Sequence, residues 1–266
     1  MTMATSNLQP SSINVVAATG NRLLEQVTPD DLALLKQHLV EGLLDAGAVL
    51  HECGQPIRRV YFPTGGLVSL IATVPEGHAI DTAMIGREGA LGLAAGLGCL
   101  TAISRAVVML SGHALQMPAT QFAEIVDGSA SLRLMIARYQ EMLLAQTQQN
   151  VVCNTVHPIQ ARLCRWLLQA RDRTGTDNLA VTQEFLSGIL GVQRTTITLV
   201  SRILQSEGIL HVRRGHIHIR DAAALERKAC DCYQTSRALA EQTADLTMAG
   251  VGGQAAAPPT IRTELM

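Results

Sequence analysis

The chain has 266 residues, 47% of them hydrophobic and 16% charged, which suits two globular domains with apolar cores and excludes a disordered or fibrous polypeptide. Its formal net charge of −1 hides a division: residues 156–230 carry 11 Lys+Arg against 6 Asp+Glu, and the remainder 10 against 16. A basic module joined to an acidic one points to a phosphate-bearing partner. All the Lys+Arg residues except Lys36 and Lys228 are arginines, which suits bidentate contacts to phosphate and guanine unless codon usage alone set the choice.

Residues 1–20 read as a flexible leader. The first 12 have neither an apolar run nor a basic flank, so no signal peptide is expected. Thr28-Pro29-Asp30-Asp31 opens a helix, with Thr28 as cap, Pro29 in the first turn and Asp31 at the capping-box position. Leu32, Leu35, Leu39 and Leu43 then share one helical face. From 48 to 117, short β-rich runs alternate with turn residues: Val60-Tyr61-Phe62, Gly65-Gly66, 67–74, Pro75-Glu76-Gly77, 79–85, 106–110 and 114–117. Several short strands with regular turns predict a sandwich or a barrel. The apolar patch at 90–100 is short and broken by glycine, so no membrane partner is expected, and six cysteines without a disulfide framework fit a reducing, cytoplasmic location.

From Pro118 the period becomes helical. Leu132, Ile136, Tyr139, Leu143, Gln146, Asn150 and Cys153 follow a 4-3-4-3-4-3 spacing, a coiled-coil-like seam. Packing on the chain's own barrel would account for it. A homodimer seam is preferred, because the stripe outlasts one small domain and polar seam residues can set register. His157-Pro158 interrupts the pattern. A second helix over 159–170 turns Leu163, Trp166 and Leu167 inward, and Thr174-Gly175-Thr176-Asp177 is a loop.

Residues 182–210 read TQEFLSGILGVQRTTITLVSRILQSEGIL. Thr182 caps a helix that buries Phe185, Leu186, Ile189 and Leu190, and Gly191 permits the tight turn of a helix-turn-helix. The second helix, 193–205, buries Ile197, Val200, Ile203 and Leu204. Its other face offers Arg194, Thr195, Thr196, Thr198 and Arg202, which can hydrogen-bond base edges or phosphates. Gln193 sits at the turn as a cap or backbone contact. Two short strands around Arg214-Gly215, within 211–219, make a wing with cationic tips, so Arg202, Arg213 and Arg214 suit phosphates. Cap, turn, polar face, wing and local charge agree on a DNA-binding winged helix-turn-helix. Past Leu246 the chain turns to Gly, Ala and Pro, predicting a disordered tail over 247–266.

Over about residues 23–233 these motifs resemble the Crp/Fnr family of transcription regulators. The resemblance rests on Val60-Tyr61-Phe62-Pro63-Thr64-Gly65-Gly66, on Gly86-Arg87-Glu88-Gly89, and above all on Leu190-Gly191-Val192-Gln193-Arg194-Thr195-Thr196-Ile197. It implies an α+β fold with three parts. An N-terminal sensor β-roll, a double-stranded jelly-roll-like barrel, spans 21–118; a long dimerisation helix spans 119–155; a C-terminal winged helix-turn-helix spans 156–233. The resemblance further implies a homodimer on double-stranded DNA at a two-fold symmetric site, with RNA polymerase as a further partner. Arg194 matches the family's leading base- or phosphate-contacting arginine. Thr195 stands where the best-studied members carry glutamate and Leu199 where they carry a second arginine, so the target sequence should differ.

Nucleotide-binding members cradle a cyclic phosphate on backbone N–H groups, beside a glutamate and an arginine. Here Arg87 is inserted between the expected Gly and Glu, and the candidate cation, Arg105, is followed by Ala106-Val107. Glu88, Gly89 and Arg105 therefore form a degraded effector pocket, and no cofactor is established. The cassette counts against a cyclic nucleotide, a structural Glu88–Arg105 ion pair is preferred, and another small ligand, or none, stays open.

Cys53, Cys99, Cys153, Cys164, Cys230 and Cys232 match neither a disulfide framework nor a zinc-finger spacing. No cysteine precedes Cys53, so an N-terminal iron–sulfur cluster fails on ligand count. Haem would need His51, Cys53, His78 or His113, and scattered histidines are more often structural. Cys230 and Cys232 cannot complete a zinc site alone, so they read as structural or unexplained and no metal is assigned. His216 and His218 share one strand face as wing residues. No Gly-x-Ser-x-Gly, P-loop or His-Glu-x-x-His occurs, and Gly96-Leu97-Gly98 lacks the rest of a dinucleotide fingerprint, so no enzyme is expected. The alternative is a signalling or protein-interaction module on the same barrel, which would need neither the wing nor its arginines.

Overall fold

The computed structural model describes residues 19–73 and 79–238. The expected leader over 1–18, the end of the strand at Val74, the turn Pro75-Glu76-Gly77, His78 and the tail over 247–266 lie outside the described residues. Among the described residues no helix is long and apolar enough to cross a membrane.

Helix α1 (Pro29–Lys36) begins as its sequence dictates: the Thr28 hydroxyl accepts from the Asp31 N–H at 3.3 Å. It does not continue to Leu39 and Leu43. The chain instead enters β1 (Val40–Leu44), where strand alternation buries Leu44 and leaves Leu43 69% exposed. Six more strands follow: β2 (Val49–His51), β3 (Arg59–Pro63), β4 (Leu67–Thr73), β5 (Ala79–Ile85), β6 (Arg105–Leu110) and β7 (Gly112–Pro118). They form two antiparallel sheets, β1-β7-β3 and β2-β6-β4-β5. Leu44 and Ala114 from one sheet pack with Val68, Ile85, Ala106 and Val108 from the other.

The expected jelly-roll-like barrel is corrected here, because neither sheet closes among the described residues. The strands are short, and register shifts at Val49/His51, Leu67/Val68 and Leu70/Ile71 interrupt the ladders. Between strands and loops only single bridges form, Tyr61 with Leu91 and Pro56 with Thr101.

The single helix expected over 119–155 is two. Helix α2 (Ala119–Gly128) stops at Ser129, whose hydroxyl accepts from the Leu132 N–H at 3.1 Å and caps α3 (Ala130–Val156). Helix α3 has 27 residues and so runs for about 40 Å. Its Leu132, Ile136 and Tyr139 pack with Phe62, Phe122 and Val126. Further along, Gln146 Oε1 accepts from Met84 N–H and Asn150 Nδ2 donates to Thr82 C=O, both at 2.8 Å.

The dimer seam read from Leu132, Ile136, Tyr139, Leu143, Gln146 and Asn150 is thereby corrected: this stripe faces its own chain. Leu143 is partly buried and the other five are buried. Its second half is polar because it lies along β5, an edge strand whose backbone groups need partners. The opposite face leaves Leu134, Leu144, Val151, Val152 and Val156 exposed.

After Pro158 come α4 (Ile159–Thr174), β8 (Asn178–Leu179), α5 (Gln183–Leu190), α6 (Arg194–Ser206), β9 (Leu210–Arg213), β10 (His216–Ile219) and α7 (Ala222–Lys228). The three strands form a sheet in the order β8-β10-β9. Trp166 lies edge-on to Phe185, with ring centroids 6.3 Å apart, in a core shared with Leu167, Leu186, Ile197, Leu204 and Ile217. That core continues into Leu67, Met84 and Leu110 of the β2-β6-β4-β5 sheet, so the C-terminal module is docked on that sheet.

Candidate nucleic-acid interface

Thr182 caps α5, its hydroxyl accepting from Phe185 N–H at 3.1 Å. Gly191 closes that helix with φ of 65°, a left-handed conformation that glycine adopts without strain. Helix α6 follows directly. Gln193 precedes it and is exposed, but its side chain makes no cap bond.

Helix α6 buries Ile197, Val200, Ser201 and Leu204. Ile203, expected inside, is exposed, and Ser201 takes the inward position. Thr195, Leu199 and Arg202 form the exposed crest, with Leu199 60% exposed. Arg194 opens the helix with its Nη1 3.3 Å from Glu184 Oε2, both side chains in solvent, so the pair is weak and exchangeable. Thr196 is partly buried. Thr198 has its hydroxyl 2.8 Å from Gln183 Oε1 and 3.0 Å from Arg194 C=O, which braces α6 against α5.

In the wing, β10 pairs with β9 and places His216 opposite Arg213. Arg214-Gly215 makes the turn, with Gly215 at φ of 76°. Ile217 and Ile219 point inward while His216 and His218 point out. Arg213 and Arg214 are exposed, and Arg213 Nε donates to His211 Nε2 at 3.0 Å.

The residues expected at an effector pocket do not converge. Glu88 pairs with Arg173 of α4 at 2.9 Å, while Arg105 lies 3.4 Å from Glu52, so the expected Glu88–Arg105 ion pair is corrected. The Ala90 N–H donates to Tyr139 Oη at 3.0 Å. A Cβ on Gly89 would stand 2.2 Å from that same oxygen. After this turn only a 3-10 turn, Leu93–Leu97, forms. With the N–H occupied, the arginine directed elsewhere and no full helix N-terminus, these residues do not fit a cyclic phosphate. A cavity of about 630 Å³ instead opens between roll and C-terminal module, lined by Arg22, Arg87, Glu88, Tyr139, Arg173 and Tyr233 among others. His51, Cys53 and His113 make separate contacts, with Arg59, Ile103 and Glu41.

One grouping escaped the sequence. Cys153, His157, Cys230 and Cys232 bring their donor atoms within 4.8 Å of one another. The Cys153 and Cys230 sulfurs are 3.4 Å apart, and Cys232 Sγ is 3.5 Å from His157 Nδ1. The Cys230 hydrogen bond, assisted by Arg165, pulls the Cys153 thiol down to about 5, whereas burial pushes the isolated Cys164 up to about 12. The only sequence signal was the four-residue spacing of Cys153 and His157, which sets both on one side of a helix end.

Residues 161–228 match the model of the Crp-like helix-turn-helix domain. No curated protein sequence matches the chain. Among solved structures, FixK2 from Bradyrhizobium japonicum is similar with a TM-score of 0.62 at 14% identity, over 72% of this chain and 98% of that one. A CRP/FNR-family transcriptional regulator from Thermus thermophilus gives 0.56 at 24% identity, over 71% and 98%. The c-di-GMP-responsive global regulator CLP of Xanthomonas campestris gives 0.58 at 16%, over 73% and 100%. At these identities the structures speak for the fold, while the matched domain speaks for the reading head. Together with α5, α6 and the wing, they show a Crp-like helix-turn-helix domain over residues 161–228 in a chain whose fold is shared with solved regulators of the Crp/Fnr type.

Proposed function

We propose that the protein acts as a homodimer that lays one α6 per subunit into successive major grooves of a two-fold symmetric DNA site. The observation that carries this reading is the exposed crest of α6, Thr195, Leu199 and Arg202, led by Arg194 and flanked by the arginines of the wing. Arg194, Thr195 and Thr196 are within reach of base edges at the N-terminal end of the helix. Leu199 offers an apolar surface that suits a thymine methyl group, where an arginine would select guanine. Arg202, Arg213 and Arg214 contact phosphates, Thr182 and Gln193 lie at helix starts where backbone N–H groups meet phosphate, and Thr198 acts by bracing α6.

Dimerisation uses the outer face of α3. Leu134, Ala137, Glu141, Leu144, Gln148, Val151 and Thr155 recur at alternating three- and four-residue steps, and all seven are exposed in the single chain. A helix apolar on both faces is one that buries both. The N-terminal pair of sheets is the sensor, and the Glu88–Arg173 ion pair joins it to the reading head beside the charged cavity. Its signal is then a ligand other than a cyclic nucleotide.

Gel-shift affinities across a salt series test the reading. Wild type is expected to lose affinity steeply with salt, and Arg214→Ala to weaken all sequences alike and lower the slope by about one unit for the lost phosphate contact. An unchanged slope removes Arg214 from the interface.

A further inference from the structure

The cysteine–histidine cluster lies apart from α6 and the wing, and DNA reading has no use for it. Cys153 and His157 come from the last turn of α3 and its C-cap. Cys230 and Cys232 follow α7, at the far end of the DNA-binding module. The three cysteines are buried and His157 is partly exposed.

The spacing suits one ion. A tetrahedral zinc with thiolates at about 2.3 Å and imidazole at about 2.0 Å holds its ligand atoms roughly 3.5–3.8 Å apart. The contacts of 3.4 and 3.5 Å fall on that scale, and all four donors lie within 4.8 Å. A disulfide would need its sulfurs at about 2.05 Å. Three thiolates and an imidazole form a soft donor set, which selects zinc over magnesium or calcium. Three thiolates around a dication leave one negative charge. The buried Arg165 guanidinium, fixed by Asn150 Oδ1 at 2.6 Å and Gln169 Oε1 at 3.1 Å, acts electrostatically on Cys153 and offsets that charge. Gln149 Nε2 donates to Cys232 Sγ at 2.9 Å, the kind of outer contact that orients a metal-bound thiolate.

We propose that Cys153, His157, Cys230 and Cys232 bind one zinc ion, which staples the end of α3 to the end of the DNA-binding module. Binding replaces the thiol protons, up to three of which leave to solvent, and changes no oxidation state. One ligand pair, Cys153 and His157, lies at the end of α3 just before Pro158 turns the chain into α4, and the other, Cys230 and Cys232, follows α7. An ion held by both therefore sets the angle between the dimer helix and the reading head. Only this last step rests on the DNA-binding reading, and the metal measurements stand without it.

The test uses the full-length protein, purified without chelator. Elemental analysis is expected to find about one zinc per chain. After chelation and reloading with cobalt(II), it should show the visible d–d bands and thiolate charge-transfer absorption of a tetrahedral site. Cys230→Ser with Cys232→Ser should lose both the ion and the bands. Gln149→Ala keeps every ligand and should weaken zinc affinity roughly 10–100-fold. Chelation should lower DNA affinity, and one equivalent of zinc should restore it. Sub-stoichiometric metal with no cobalt bands overturns the site, as does a Cys153–Cys230 disulfide in the native protein by mass spectrometry. Stoichiometric zinc whose removal leaves DNA affinity unchanged overturns the staple.

Discussion

Replacing Leu144 and Val151 together with glutamate is expected to convert the dimer into a folded monomer. In the single chain these side chains are 58% and 62% exposed, on the face of α3 turned away from the roll. Burying a leucine or valine side chain is worth about 1.5–3 kcal/mol, and two-fold symmetry counts each position twice. The substitutions remove that gain and place four carboxylates in a low-dielectric seam without partners, a further cost of several kcal/mol. The variants should fold, because among the described residues both positions are mostly exposed and lie outside the buried cores. Ile136→Glu serves as the contrast: Ile136 is fully buried against the roll, so a charge there should unfold it instead of freeing intact subunits. Sedimentation read beside circular dichroism separates the two. An unchanged dimer for Leu144→Glu with Val151→Glu would mean that the outer face is not the seam.

The second large effect is expected at Arg194. Arg194→Ala should cost about 1–3 kcal/mol per half-site and relax base preference at one position, as loss of a bidentate contact to guanine does. Each 1.4 kcal/mol is tenfold in affinity, and both half-sites lose the contact. The competing Glu184 pair is solvent-exposed on both sides, so little holds Arg194 back from DNA. Leu199→Ala should act differently, losing preference for thymine at its own step with a smaller change in affinity. If Arg194→Ala weakens all sequences equally, the arginine only clamps a phosphate. The base code would then rest on Thr195, Thr196 and Leu199.

What the sequence disclosed depended on how local each feature was. The reading head was legible because its evidence is contiguous: the Thr182 cap, the Gly191 turn, the apolar face of α5 and the alternation of Ile217 and Ile219 all lie in one stretch. Sheet architecture was not, since β1 is held by β7, a strand far along the chain. Leu39 and Leu43 matched a helical spacing that this pairing overrode. On α3 the periodicity was real but ambiguous. Both faces carry apolar residues at heptad-like steps, and what tells inner from outer is tertiary: the packing of Leu132, Ile136 and Tyr139 on Phe62 and Phe122, and the hydrogen bonds of Gln146 and Asn150 to β5. Cys230 and Cys232 were discounted for want of further ligands, which α3 supplies from a distant part of the chain.

The central claim is that two copies of this chain read a symmetric site with their α6 helices. Selecting bound sequences from a random DNA pool with the native full-length protein tests it most directly. The expected result is an inverted repeat with half-sites centred about 34 Å apart, one turn of the duplex. A pool that enriches no sequence, or one that converges on a single asymmetric element, would contradict it.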